Sequence, residues 1–185
     1  MTQKISQTRA NSASDAELEM IRVLFVCHGN ICRSTMAEYV FKDMIKRKNI
    51  DDKFYVDSAA TSREEIGNPV HYGTRRKLEE QGIYCGDHRA RQITKEDYEV
   101  YDYLIGMDEA NIRNMHRMLG ADPDKKMYKL LDFTARKGNI ADPWYTGNFD
   151  ETYKDVVDGC EGLLCFQQEK YGDFSLISFE TEGCL

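Results

Sequence analysis

The chain alternates short apolar runs with longer stretches in which apolar residues recur every three or four positions. Ile21 to Val26 is an unbroken β-branched and aromatic run of buried-strand length. After a polar loop, Ala37, Val40, Phe41, Met44 and Ile45 fall on one side of a helix beginning near Ser34. Phe54-Tyr55-Val56 predicts a short strand, and Pro69 suits the first turn of a helix reaching about Gln81. Tyr101 to Met107 predicts a third strand, followed by a helix marked by Ile112, Met115 and Leu119. Tyr128 to Leu131 predicts a last strand. Tyr153, Val156, Val157, Cys160, Leu163 and Leu164 then trace an amphipathic closing helix. This alternation implies a single α/β domain: a central parallel sheet of about four strands, with helices on both faces.

The pattern also sets the expected boundaries. Residues 1–19 are polar, show no apolar period, and read as a disordered N-terminal extension. Residues 20–170 form the folded domain, and 171–185 a loosely attached C-terminal tail. No apolar run approaches the ~18 residues of a membrane span, and the opening residues lack the apolar stretch of a signal peptide. The expectation is a cytoplasmic protein without a membrane partner, its six cysteines present as thiols. The net charge of −7 argues against nucleic acid. Residues 1–19 carry −1 of it and residues 171–185 carry −3, so the body holds only −3 and a local anion site is compatible with it.

That site is expected where the first strand ends, because open α/β sheets bind ligands beyond the carboxyl ends of their strands. Cys27-His28-Gly29-Asn30-Ile31-Cys32-Arg33-Ser34 occupies this place. The helix that follows offers free backbone N–H groups and the positive end of its dipole. Gly29 and Asn30 tolerate the left-handed backbone of a tight cradle. The helix end and Arg33 favour the thiolate of Cys27, and the Arg33 fork suits two phosphate oxygens. Ser34 can donate a hydrogen bond to that sulfur. A lone cysteine after a strand is ordinarily a small buried hydrophobe; one with Arg33, Asn30 and Ser34 around it reads as a phosphate-handling nucleophile. Cys27 and Cys32 lack zinc-ligand spacing, and no Walker pattern is present, so no metal or cofactor is expected.

A phenolic leaving group departs faster when protonated. Two prolines follow an aspartate. Asp122-Pro123 continues into charged residues and reads as a solvated turn, whereas Asp142-Pro143 continues into Trp144 and Tyr145. Asp-Pro alone is commonly structural, but the adjoining aromatics can wall a slot for a phenyl ring. Asp142 is the candidate acid.

The segment VLFVCHGNICRSTMAEYVF resembles the opening strand, phosphate loop and first helix of the low-molecular-weight protein tyrosine phosphatases, in a version similar to Gram-positive bacterial members. DSAATS, KLEEQGI, HRARQITKEDYEVYDYLIGMDEANIRNM and DPWYTGNFDETY follow in that family's order, from about Met20 to Phe166. The resemblance implies a phosphotyrosine phosphatase acting on proteins or peptides through a cysteinyl-phosphate, with inorganic phosphate as product and inhibitor. Cys27 is then the nucleophile, Arg33 the clamp and Asp142 the general acid and base, with His28, Gly29, Asn30, Ile31, Cys32 and Ser34 around the phosphate. It further implies that Ser58 and His88 support the loop together with Asn30 and Ser34, and that Cys32 can protect Cys27 by disulfide formation under oxidation. Trp144 and Tyr145 match the aromatic wall. Arg63 and Glu64 stand where the family's facing loop meets the pocket, and Thr35 replaces the family's usual proline.

Rivals share the scaffold. Protein-arginine phosphatases tend to carry threonine at the position of Ile31, so Ile31 leans toward tyrosine. Thioredoxin-coupled arsenate reductases need two further cysteines on a mobile segment, and here only Cys85 lies near, Cys160 and Cys165 falling on the closing helix. A non-catalytic phosphotyrosine-binding module would lose Cys27, Arg33 or Asp142, and all three are present.

Overall fold

In the computed structural model, residues 20–172 and 174 are described. The extension expected over residues 1–19 lies outside them, as does most of the expected tail. The described residues form four strands, β1 (Ile21–Cys27), β2 (Phe54–Ala60), β3 (Tyr103–Gly106) and β4 (Met127–Lys129). All pair in parallel in the order β2-β1-β3-β4. The chain leaves β1 in one direction along the sheet to reach β2 and in the other to reach β3. At such a reversal the connecting loops diverge and leave a crevice at the carboxyl ends, and β1 ends there on Cys27.

Helices cover both faces. On one side lie α1 (Arg33–Arg47), α2 (Tyr72–Glu80) and α6 (Phe149–Tyr171). On the other lie α3 (Lys95–Val100) and α4 (Glu109–Leu119). β1 alternates between these layers. Val23, Phe25 and Cys27 join the cluster that holds Met36, Phe41, Val156 and Leu163, while Leu24 and Val26 join Leu104, Tyr98 and Met115. A strand buried on both faces reads as a continuous apolar run, which is why Ile21–Val26 was so legible.

Several boundaries differ from expectation. α2 begins at Tyr72 with His71 as its N-cap, so Pro69 lies in the extended approach and not in the first turn. β4 stops at Lys129, and Leu130–Phe133 turn into a 3-10 helix that buries Leu130 and Leu131 against α6. The short α3 and the one-turn α5 (Pro143–Thr146) have too few residues for a visible period. α6 runs to Tyr171, whose hydroxyl meets that of Tyr103 at 3.0 Å, and Phe174 packs its ring on Phe54. The first residues of the expected tail are therefore attached to the core. Cys27, Cys32, Cys85 and Cys160 are free thiols. Cys165 is disulfide-bonded, against the expectation of six thiols. Among the described residues no helix is long and apolar enough to cross a membrane.

Candidate active site

β1 ends at Cys27 and α1 starts at Arg33, so residues His28 to Cys32 make the whole turn between them. Asn30 sits at φ 58°, in the left-handed region that asparagine tolerates better than most residues. Gly29 does not share that conformation. Its bare Cα admits Glu65 instead, whose Cγ would lie 3.1 Å from an added Cβ.

Behind this turn is a buried chain of polar groups with one consistent direction. Glu38, 3 % exposed, accepts from the Ser58 hydroxyl at 2.5 Å. A carboxylate only accepts, so the single Ser58 proton is committed to it. Ser58 Oγ in turn accepts from Asn30 Nδ2 at 2.8 Å, and the second Nδ2 proton goes to Ser34 Oγ at 3.0 Å. The Ser34 proton is then left to point at Cys27 Sγ, 3.0 Å away. The Asn30 backbone N–H donates to the same sulfur at 3.3 Å. His88 Nε2 donates to the Asn30 carbonyl at 3.0 Å, and Asn30 Oδ1 accepts from the Arg91 backbone at 3.1 Å. Asn30 thus holds the left-handed turn with both ends of its amide.

Arg33 lies across the cavity floor, 3 % exposed. Its Nη1 donates to Asp108 at 2.5 Å and to the Ile140 carbonyl at 3.1 Å, and its Nη2 to Asp142 at 2.6 Å. Burial works against its charge, but Cys27, Asp142 and Asp108 outweigh burial and hold its pKa above the ordinary guanidinium value. Its Nε is buried with no hydrogen-bond partner. Burial, then the charges of Cys27 and Asp142, push the Cys32 thiol up to about 12. Cys32 is therefore a thiol beside a sulfur that two donors face.

The mouth is built differently. Asp142 caps α5, its Oδ1 accepting from Trp144 N at 3.1 Å. Proline at the first position of α5 needs no donor there, and the helix stops at Gly147, φ 67°. Trp144 and Tyr145 stand 58 % and 84 % exposed at one side of a cavity of about 630 Å³. Cys27, Arg33, Asp108, Asp142, His28 and Glu64 also line it. Opposite the aromatics, the segment after β2 is strapped to the phosphate loop. Thr61 N donates to the Cys27 carbonyl and Ser62 N to the His28 carbonyl, both at 2.9 Å. This holds Glu64 where it meets His28 Nε2 at 3.0 Å.

Of the expected residues, Cys27, His28, Gly29, Ile31, Cys32, Arg33, Glu64, Asp142, Trp144 and Tyr145 line the cavity. Asn30, Ser34, Ser58 and His88 lie behind its wall, and Arg63 is exposed outside the lining. Thr35 is buried, its hydroxyl satisfied by the Cys32 carbonyl at 2.9 Å. Two participants escaped the sequence. Glu38 is a charged residue on the apolar face of α1, a signal in hindsight. Asp108 is the N-cap of α4, bonded to Asn111 N at 2.7 Å, and its second oxygen reaches Arg33 only through the fold.

This arrangement has relatives. Residues 22–171 match the family model of low molecular weight phosphotyrosine protein phosphatases. The chain is similar to the low molecular weight protein-tyrosine-phosphatase YfkJ of Bacillus subtilis, 42 % identical over 154 residues, covering 82 % of this chain and 99 % of that protein. The crystal structure of YfkJ superposes with a TM-score of 0.80 at 41 % identity, covering 82 % and 97 % of the two chains. That of SP-PTP from Streptococcus pyogenes gives 0.72 at 40 % identity, over 80 % and 93 %. The Drosophila arginine phosphatase DARP gives 0.72 at 29 % identity, over 80 % and 98 %. The chain belongs to the low-molecular-weight protein tyrosine phosphatase family, and with it to the phosphoric monoester hydrolases.

Proposed function

We propose that this chain hydrolyses phosphotyrosine in proteins or peptides through a cysteinyl-phosphate on Cys27. The observation that carries the reading is the sulfur itself, faced by the Ser34 hydroxyl and the Asn30 N–H in the same cavity as Arg33 and Asp142. An arriving phosphate offers acceptors to the buried Arg33 Nε and draws the guanidinium away from Asp142. Asp142, released from that ion pair, carries the proton that the departing phenolate needs. The Cys27 thiolate attacks phosphorus, the P–O bond to the ring breaks, and the phenol leaves with the proton from Asp142. The resulting Asp142 carboxylate then takes a proton from water as the water oxygen attacks phosphorus. The P–S bond breaks, inorganic phosphate forms, and the thiolate returns to the donors from Ser34 and Asn30. Positioning and neutralisation of charge supply most of what phosphoryl transfer requires.

Trp144 and Tyr145 support an aryl substrate, since a phenyl ring can lie against them while its phosphate reaches the loop. Ile31 supports tyrosine over phosphoarginine, because it gives the pocket a methyl-bearing chain in place of a hydroxyl. Oxidation of the Cys27 thiolate by a peroxide to a sulfenic acid, with the buried Cys32 sulfur then displacing water to close a disulfide, is part of the same proposal. Activity on phosphotyrosine, phosphoserine and phosphoarginine peptides, compared in one preparation of wild type and Cys27→Ser, tests it. The expected result is Cys27-dependent turnover of the phosphotyrosine peptide. Activity that survives Cys27→Ser, or a preference for phosphoarginine, overturns it.

A further inference from the structure

His71 belongs to neither the phosphate loop nor the acid loop, yet it touches both. Its backbone N–H donates to the Ile31 carbonyl at 2.9 Å, which ties it to the phosphate loop. Its ring meets Trp144 edge-on, with centroids 5.6 Å apart at 67°, and stacks on Phe149 at 5.4 Å and 7°. Phe149 opens α6 and packs against Ile31, Cys32 and Ala90 under the same loop. Trp144 is two residues beyond Asp142 and donates its N–H to that carboxylate. A continuous path therefore runs from Ile31 through the His71 ring to Trp144 and Asp142.

The simplest account of His71 is that it caps α2, because Nδ1 accepts from Gly73 N at 3.1 Å. Capping explains the acceptor but not the ring. Serine, threonine, aspartate and asparagine cap helices at least as well with smaller side chains. Here the cap bond fixes the plane of an aromatic ring, and the ring's face and edge are both used. Gly73 fits this reading: a Cβ there would run into the Phe149 ring, so the start of α2 can seat against Phe149 only without a side chain. Aromatic contacts of this geometry stabilise beyond burial alone, enough to bias the placement of a one-turn helix.

We propose that His71 is a positioning residue for aryl-ester hydrolysis, its ring holding Trp144 and so keeping Asp142 at a fixed distance from the phosphate loop. The proposal rests on the assignment of Asp142 as the acid. The variant His71→Asn keeps a cap acceptor and the backbone bond to Ile31 while removing the ring. Misplacing a reacting group by about 1 Å can cost up to ~10²-fold, and α5 keeps its other anchors, so a smaller loss is expected. His71→Asn should lower kcat/KM, which reports the steps up to P–O cleavage, about tenfold for phenyl phosphate and less than about twofold for an ester with a strongly acidic phenol, following the Brønsted logic of general acid catalysis. His71→Phe restores the ring without the cap and should regain most of the loss, even where its thermal midpoint falls.

Coupling to Asp142 makes the test specific. On an Asp142→Ala background, His71→Asn should have no further effect on phenyl phosphate hydrolysis. The inference is overturned if the two losses multiply, if His71→Asn lowers kcat/KM equally for all esters, or if His71→Phe is no better than His71→Asn. Each of these outcomes leaves turnover dependent on Cys27. Failure of the underlying reading is a different result, namely turnover that persists in Cys27→Ser.

Discussion

The two ends of the cavity are held by different physics. At the phosphate loop, buried side chains close a directional hydrogen-bond chain from Glu38 through Ser58, Asn30 and Ser34 to the sulfur. At the acid loop, the contacts are ring faces and edges among Trp144, His71 and Phe149, half in solvent. A buried polar chain is all-or-none, since losing one member leaves the others unsatisfied in a low-dielectric interior. Ring contacts are graded, and one can weaken without orphaning a donor. Damage at the loop should therefore cost both fold and activity, while damage at the acid end should cost rate and spare the fold.

The largest expected effect is at the sulfur. Cys27→Ser keeps an acceptor for the Ser34 and Asn30 donors, so it should remove turnover almost entirely without disturbing the hydrogen-bond chain or the thermal midpoint. Asp142→Ala should cost about 10²–10⁴-fold for poor leaving groups. A leaving-group series with both variants measures this. A comparable loss of kcat/KM for good and poor leaving groups in Asp142→Ala would break the assignment of the acid end.

Next comes Asn30→Ala, which deletes three side-chain hydrogen bonds and puts alanine at φ 58°. We expect about 2–4 kcal/mol of lost stability together with lost activity, read by denaturant titration. A variant that loses activity but no stability would show that the two ends are less different than described.

Glu38→Gln sharpens the same point at constant shape. The amide adds a donor where the chain requires an acceptor, so the Ser58 proton loses its fixed partner and the Asn30 amide that rests on Ser58 and Ser34 is held less firmly around the sulfur. The expected outcome is slower turnover and slower alkylation of Cys27 at neutral pH, with modest change in stability. Cys32 supplies an internal control, because its thiol is pushed up to about 12 by burial and by the neighbouring Cys27 and Asp142 charges. Iodoacetamide at neutral pH should label Cys27 and leave Cys32 unmodified; mass spectrometry of peptides reads both.

The smallest effect belongs to His71. Burial pushes its pKa below the ordinary imidazole range, with Glu65 opposing. A base whose folded pKa is depressed contributes stability present above its unfolded value and lost as pH falls through the folded one. The thermal midpoint should thus decline slightly as pH drops from 6.5, the ordinary imidazole value. That part of the decline should vanish in His71→Asn.

The parts of the molecule differ in how openly the sequence declares them. Cys27, Arg33 and Ser34 fall within eight consecutive residues after a strongly apolar strand, so chain connectivity alone keeps them together. Asp142 was separable from Asp122 only by its neighbours Trp144 and Tyr145. Apolar Leu130 and Leu131 extend the predicted last strand past its end at Lys129, yet their burial is against α6 and not in the sheet. Pro69 fits a helix start equally well three residues before the true one at Tyr72, since a cap depends on the side-chain bond that forms at His71.

What the sequence determined by itself was local: the strand, the phosphate turn, the helix that follows, and the family those residues spell. Periodicity and adjacency are properties of neighbouring residues, and they survive in the unfolded chain. What only the tertiary structure decided was long-range. Asp108, Asp142 and Ile140 lie 75 to 109 residues from Arg33 and meet it because β3 lies beside β1 and the loops beyond them converge. The direction of the Glu38-to-Cys27 chain was likewise undecided until each donor had one acceptor within reach. A hydrogen bond has a direction only when both partners are placed, and their placement comes from packing the sheet between its helices.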